Sequence, residues 1–446
     1  MAYYKRQIDN ELLLWKESPL RKPLLIRGAR QVGKSSAVQE LGKTFQYYVE
    51  INLEKQPSLK ALFTEDVDVH KTCERLSAAV STPIIPSQTL LFIDEIQNCE
   101  PAIMSLRYFK ENYPELHVIA AGSLLEFTLN EIPSFAVGRI RSLYMYPFSF
   151  DEFLTAQGLD LQLEAKRKAT ADEPLFETTH RLLCDQLRTF FLVGGMPEAV
   201  ANWIENHDHI SVQRIHRDIL DTYQDDFAKY KKRVSPDLLR QVLRSVALQA
   251  GGKFVFSQVA TDMSAYKVKE ALRLLGLAGL AIPVTRSDAN GLPLGAEADT
   301  SYQKYLFLDI GLMLTLLSTP ATDILLTNDT DIINKGSVTE VFAGLELVKY
   351  SDCFQKPELY FWLNKSKNAN AEVDYLLPRA GKVLPVEVKA GTKGSMQSLY
   401  LFMAKKGLVK AVRTSMENFQ QYGYNDTINT ATRQINVVPL YALSNL

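Results

Sequence analysis

The chain has 446 residues, with 50 Lys+Arg against 51 Asp+Glu and a formal net charge of -1. A hydrophobic share of 46% and a charged share of 23% exclude a disordered or fibrous chain. The charge balance excludes a generally basic polyanion binder, though it says nothing of local patches.

At about 150 residues per domain, about three domains are expected. Cys73, Cys99, Cys184 and Cys353 form no CxxC pair and are too few for a disulfide scaffold, which predicts reduced thiols and a cytoplasmic location. The N-terminus has no apolar h-region, and no apolar run reaches the ~18 residues of a membrane span, so no membrane partner is expected.

Taken in chain order, the first 150 residues alternate strand-length apolar runs (Pro23 to Ile26, Tyr47 to Leu53, Thr89 to Ile93, Leu116 to Ala121) with amphipathic stretches. That rhythm predicts an α/β fold with a parallel sheet. Between the first run and a helical pattern lies Gly28-Ala29-Arg30-Gln31-Val32-Gly33-Lys34-Ser35, a full G-x-x-x-x-G-K-[ST] match. Its glycines let the backbone N–H groups of Gly28 and of Arg30 through Ser36 wrap a phosphate at a helix N-terminus. Lys34 then reaches the β/γ-phosphates of ATP, and the Ser35 hydroxyl is placed to ligate Mg²⁺. The run Thr89 to Ile93 ends in Asp94-Glu95. Asp94 is the candidate holder of Mg²⁺, and Glu95 the candidate that orients an attacking water. Leu116 to Ala121 ends in Gly122-Ser123, which puts Ser123 near the γ-phosphate, and Gly138-Arg139-Ile140-Arg141 offers arginines for a transition-state phosphoryl group, in cis or from a second copy of the chain.

These segments resemble a widespread prokaryotic family of AAA-type ATPases. The resemblance rests on GARQVGKSS, LLFIDEIQ, LRYFKENYPELHVIAAGSLLEF and VGRIRSLYMYPFSFDEFL, with FLVGGMPEAV similar to the family's lid. Further on, KYLFLDIGLML and AEVDYLLP…LPVEVKAG look like the C-terminal domain of unknown function that accompanies this ATPase. The resemblance implies an ATPase with Arg139 as its arginine finger; Ser123 departs from the Asn that many AAA proteins carry there.

From Leu182 to Leu248 the pattern is helical. Lys253 to Ala260 and Ser264 to Leu280 read as two helices with a turn, followed by a hairpin-like excursion and a strand at Tyr305 to Leu308, the order of a winged helix. Lys267, Lys269 and Arg273 give the second helix a positive face, but Thr285 to Thr300 carries a net charge of -2, which counts against DNA contact. A polar stretch after Asp323 reads as a linker.

The last segment opens with a helix, Val338 to Tyr350, and then alternating strands around Arg379-Ala380-Gly381-Lys382. A two-residue turn at Ala380-Gly381 makes strand partners sum to 761, which sets Asp374 opposite Glu387 and Glu372 opposite Lys389 on one face. Opposed carboxylates repel unless a cation lies between them. Asp…Glu-x-Lys on a hairpin is the pattern of the PD-(D/E)xK nucleases, in which two acids hold a divalent metal and the lysine assists. Asp374 and Glu387 are thus candidate ligands of a second divalent metal, Glu340 an accessory acid and Lys389 the catalytic lysine. The plain alternative is a salt-bridged hairpin. From Arg379 to Arg413 eight Lys/Arg face one acid, net +7, a candidate DNA-binding surface.

The expected architecture is therefore a P-loop AAA-type core (1–181), a helical lid (182–248), a winged-helix-like middle (249–322) and a restriction-endonuclease-like α/β end (323–446). The expected function is ATP hydrolysis coupled to a Mg²⁺-dependent nuclease-like domain on DNA. The alternative is an ATP-dependent switch or scaffold that binds a protein partner, nucleic acid or further copies of itself.

Overall fold

The structure is a computed structural model describing residues 2–64, 68–129, 138–230, 233–259, 264–319, 336–364, 371–391, 395–426 and 431–446. The polar stretch read as a linker lies outside the described residues. The chain divides into two compact units: Met1–Phe148 with Leu277–Gly279 and Asp352–Lys356, and Ser149–Gly276 with Leu280–Ser351 and Pro357–Leu446.

The first unit is built on strands β1 (Leu24–Arg27), β2 (Tyr47–Asn52), β3 (Thr89–Asp94), β4 (His117–Ala121) and β5 (Arg141–Tyr144), in the order β2-β3-β4-β1-β5. All four pairings are parallel. Leu90 to Ile93 and Val118 to Ala121 are fully buried, as expected of strands covered on both faces. The core joins Leu25, Ile51, Leu91, Ile93, Val118 and Leu106 of the helix Glu100–Asn112. Because β4 lies between β3 and β1, the carboxyl ends of the three strands lie side by side at one edge of the sheet, where open α/β sheets place their ligands.

The second unit begins with helices Phe150–Ala156, Asp160–Lys168, Glu177–Val193, Pro197–Asn206, His209–Asp226 and Pro236–Leu248. The first of the two helices expected after them is only a short turn, Phe256–Gln258, and residues 260–263 lie outside the described residues. The second is present as Ala265–Leu277, with Val268, Ala271, Leu272, Leu274 and Leu275 buried as their spacing requires.

Among the described residues eight strands follow: β6 (Ala281–Ser287), β7 (Ala298–Phe307), β8 (Leu359–Leu363), β9 (Glu372–Arg379), β10 (Lys382–Val388), β11 (Lys410–Ser415), β12 (Gln420–Asp426) and β13 (Ala431–Pro439). They form one mixed sheet in the order β12-β13-β11-β10-β9-β8-β6-β7. The hairpin expected as a wing is hydrogen-bonded into this sheet through a parallel β6–β8 pairing. Its acidity is also partly answered within it, since buried Arg286 pairs with Asp288 and, at 3.7 Å, with Asp299.

The β9–β10 hairpin keeps the expected register, from Lys382↔Arg379 to Val386↔Tyr375. Ala380 and Gly381 have φ of 47° and 74°, the left-handed pair that a two-residue hairpin turn requires. The helix Gly336–Lys349 packs on this sheet through Gly344, where a Cβ would meet the Tyr375 hydroxyl at 2.4 Å. That close approach lets Tyr375 donate its hydroxyl to the Glu340 carbonyl at 2.7 Å and sets Glu340 against β9.

Candidate functional site

The loop after β1 turns through Gly28 at φ 145° and Gly33 at φ 97°, and Gly33 starts the helix Lys34–Gly42. Gly28 is also sterically required, because a Cβ there would lie 2.2 Å from the Met145 carbonyl oxygen. The Lys34 ammonium donates to the carbonyls of Gly28 (3.0 Å) and Ala29 (2.7 Å) inside its own loop. Burial pulls its pKa down to about 8, against the pull of Glu95 and Asp94 in the other direction.

Ser35 Oγ donates to Asp94 Oδ2 at 3.1 Å, and Asn52 Nδ2 donates to the same oxygen at 3.2 Å. Burial, with Glu95 second, raises the Asp94 carboxyl above the ordinary aspartate range. A buried carboxylate beside a hydroxyl is a donor set suited to Mg²⁺, which takes oxygen ligands. Glu95 takes the left-handed conformation at φ 50°, a strained state for a non-glycine residue of the kind found at functional sites. Its Oε2 accepts from Gln97 Nε2 and, at 3.3 Å, from Ser123 Oγ. Exposed Arg139 donates to Glu111 Oε1 at 3.0 Å.

In the second unit a different cluster forms. Carboxylate oxygens of Glu340, Glu372 and Asp374 lie within 4.8 Å of one another. Lys304 of β7, 2% exposed, sends its ammonium into this group, paired with Glu340 at 2.7 Å and with Glu372. Its tip lies 4.9 Å from the centre of the Phe361 ring. Asp374 Oδ2 accepts from the Val388 N–H at 2.7 Å, and Lys389 donates to Glu387 Oε1 at 2.7 Å.

Burial dominates the electrostatics of these groups. It pushes the Glu340 carboxyl up to about 8, opposed by Lys304 and reinforced by Asp374. It pushes Glu387 up to about 8 as well, reinforced by Asp374 and opposed by Lys389. Glu372 and Asp374 are raised for the same first reason. For Lys304, burial lowers the pKa, but Glu340, Glu372 and Asp374 outweigh it and hold the ammonium above the ordinary lysine value.

Residues 20–154 match the family model described as "AAA domain". Residues 20–154 are an AAA-type ATPase domain. Residues 184–323 and 335–443 match two families described only as domains of unknown function, DUF8612 and DUF4143. No curated protein matches the chain. Among solved structures, the Walker-type ATPase PABY2304 of Pyrococcus abyssi is 16% identical, with a TM-score of 0.47, over 71% of this chain and 96% of that one. The Thermotoga maritima RuvB Holliday junction branch migration motor is 14% identical, with a TM-score of 0.26, over 63% of this chain and 89% of that one.

Within the AAA domain the structure brings Lys34, Ser35, Asp94, Glu95 and Ser123 to the same sheet edge, while Arg139 lies in an ion pair with Glu111. Asn52, which holds Asp94, belongs to no motif, and Gln97, which holds Glu95, closes the LLFIDEIQ segment without a role assigned to it there. In the DUF4143 segment, Glu340 and Asp374 meet, but Glu372 completes their group and Glu387 turns to Lys389. A cation was expected between Asp374 and Glu387, a divalent metal or Lys389; instead Lys389 pairs with Glu387 alone, and Lys304, supplied from the DUF8612 segment, lies between Glu340 and Glu372. The available signal was a lysine at the inward position of β7, two residues before buried Leu306.

The basic run is less continuous in the fold than in the sequence. Lys389 is paired with Glu387, and Arg413 is buried against Glu417 at 3.2 Å. Lys405 and Lys406 donate to Asn364 and Asn290, and Lys393 lies outside the described residues. On the helix Ala265–Leu277, Arg273 is likewise bound to Glu270 at 2.7 Å. No described helix is long and apolar enough to cross a membrane.

Proposed function

We propose that the AAA domain hydrolyses ATP at the loop Gly28–Ser36. The observation that carries this reading is the Ser35 Oγ–Asp94 Oδ2 contact of 3.1 Å, which joins the loop to the end of β3 with Glu95 the next residue. The backbone N–H groups of Gly28 to Ser36 bind the phosphates, and Lys34 exchanges its loop carbonyls for phosphate oxygens. Ser35 and Asp94 would hold Mg²⁺, which when bound would supply positive charge against the phosphates. Glu95, oriented by Gln97 and Ser123, aligns the attacking water. Arg139 leaves Glu111 to meet the transferring group, either on its own chain or on a second copy.

The test is a coupled phosphate-release assay on wild type, Lys34→Ala and Arg139→Ala. Loss of turnover in Lys34→Ala supports the site, and undiminished turnover in that variant overturns it. A rate in Arg139→Ala reduced by about 10³ or more supports the finger role. If wild-type turnover per chain rises with protein concentration, the finger acts between copies.

A second reading concerns the DUF4143 segment, where we infer a nuclease-like, divalent-metal-dependent site at Glu340, Asp374 and Glu387 with Lys389. The observation favouring it is Glu387 Oε2, which is buried and has no hydrogen-bond partner among the described residues. Incubation of linear and supercoiled DNA with Mg²⁺ or Mn²⁺, with and without ATP, tests it against Asp374→Ala. Cleavage lost in Asp374→Ala supports the reading. No cleavage of any substrate leaves the switch or scaffold function, in which ATP turnover governs a non-catalytic binding module.

A further inference from the structure

Among the described residues, the acidic group of the second unit holds more carboxyl groups than lysines. Of four carboxyl groups, Asp374 and Glu372 each repel both Glu340 and Glu387, while two ammonium groups, Lys304 and Lys389, reach the set. Lys389 is committed to Glu387 Oε1. The other Glu387 oxygen, on a side chain only 4% exposed, has no donor among the described residues and feels Asp374 and Glu372 as repelling neighbours. A buried acceptor without a donor is costly, so this oxygen is disposed to take up a proton or a cation. If all four acids were ionised, the two remaining negative charges would match one divalent ion.

Lys304 stands where such an ion would be held on one side. Its ammonium bridges Glu340 and Glu372, two of the three acids whose oxygens approach within 4.8 Å. An ammonium bears one charge and donates hydrogen bonds, whereas a divalent ion would draw in carboxylate oxygens from all sides. The two cannot share the same oxygens at bonding distance, because like charges in a buried site repel strongly. Lys304 also comes from outside the segment that supplies the acids. It is carried by β7, which ends the sheet order and, among the described residues, pairs with β6 alone.

We propose that Lys304 is the resident cation of this site, and that a divalent metal binds there only in competition with it. This rests on the reading of the acidic group as able to hold a metal. Lys304 thereby sets how readily the site fills, and a displacement of β7 that withdrew the lysine would open the site.

The experiment uses the full chain without nucleotide and Mn²⁺ as the probe, followed by titration calorimetry and by the thermal midpoint. Wild type, K304M, K304Q, K304R and the double variant K304M/D374N are compared. The expected result is Mn²⁺ binding at least about tenfold tighter in K304M and K304Q than in wild type. The gain is lost in K304M/D374N, and K304R behaves as wild type. Equal affinity in wild type and K304M overturns the role of Lys304 and leaves the metal site standing. No binding in any variant overturns both. If K304M and K304Q are unfolded without metal, recovery of their circular dichroism on adding Mn²⁺ supports the proposal, and failure to recover counts against it. DNA cleavage measured on the same samples is a separate readout: tight binding without cleavage removes the nuclease reading alone.

Discussion

Replacing Lys304 by methionine keeps much of the side-chain stem and removes the charge. The ammonium is buried between Glu340 and Glu372, with Asp374 beside them. Removing one partner of a buried ion pair costs about 3–5 kcal/mol, because the other charge is left uncompensated. Here that penalty depends on pH. The Glu340 and Glu387 carboxyls are pushed up to about 8, primarily by burial, from ordinary values near 4.5. A carboxyl raised in the folded state contributes stability that is complete below its unfolded pKa and lost as pH rises through its folded pKa. The window therefore runs from about pH 4.5 to about pH 8, and each such group steepens the loss by up to about 1.4 kcal/mol per pH unit.

In the wild type, Lys304 counteracts the loss by favouring the ionised forms of Glu340, Glu372 and Asp374. Without it their pKa values rise further, and the deficit of K304M grows with pH. At pH 5.5 the acids accept protons, and only the lost hydrogen bonds remain, about 1–2 kcal/mol. At pH 8.5 the deficit reaches the full 3–5 kcal/mol range, roughly. Urea unfolding of wild type, K304M and K304R, followed by circular dichroism at both pH values, measures it. A K304M deficit that is equal at the two pH values, or larger at pH 5.5, refutes the reasoning.

Two further predictions concern positioning. Gln97→Ala removes one of the donors to Glu95 Oε2 and leaves the phosphate loop intact, so kcat falls by up to about 100-fold while the Kd for nucleotide stays unchanged; an altered Kd with unchanged kcat contradicts this. Gly344→Ala puts a methyl 2.4 Å from the Tyr375 hydroxyl, so the thermal midpoint drops by an amount equivalent to about 1–3 kcal/mol, and adding Tyr375→Phe restores part of it. Additive losses in the double variant contradict the contact.

The first unit was legible because its signals are local. The eight residues Gly28 to Ser35 set their own backbone path, and β3 announced its end by passing from fully buried Ile93 to Asp94 and Glu95. The β9–β10 turn was equally local, since Ala380-Gly381 alone sets the register. What the sequence did not reveal depends on distant partners. Asn52 reaches Asp94 because β2 and β3 pair, a contact 42 residues apart with no spacing rule behind it. Lys304 meets Glu340 and Glu372 only because the β6–β7 hairpin joins the sheet beside β8, and nothing in its own pattern names its neighbour. The basic run from Arg379 to Arg413 looked open because Glu417, which pairs with Arg413, lies just beyond it.

The central claim, that the AAA domain hydrolyses ATP with Glu95 aligning the water, is tested most directly by Glu95→Gln. Nucleotide binding and phosphate release are measured on the same purified samples. The account predicts Mg²⁺-dependent turnover in the wild type, and in Glu95→Gln an ATP affinity within a few-fold of wild type with turnover reduced by at least about 100-fold. Turnover in Glu95→Gln equal to wild type, or no turnover in wild type that binds ATP and Mg²⁺, contradicts it.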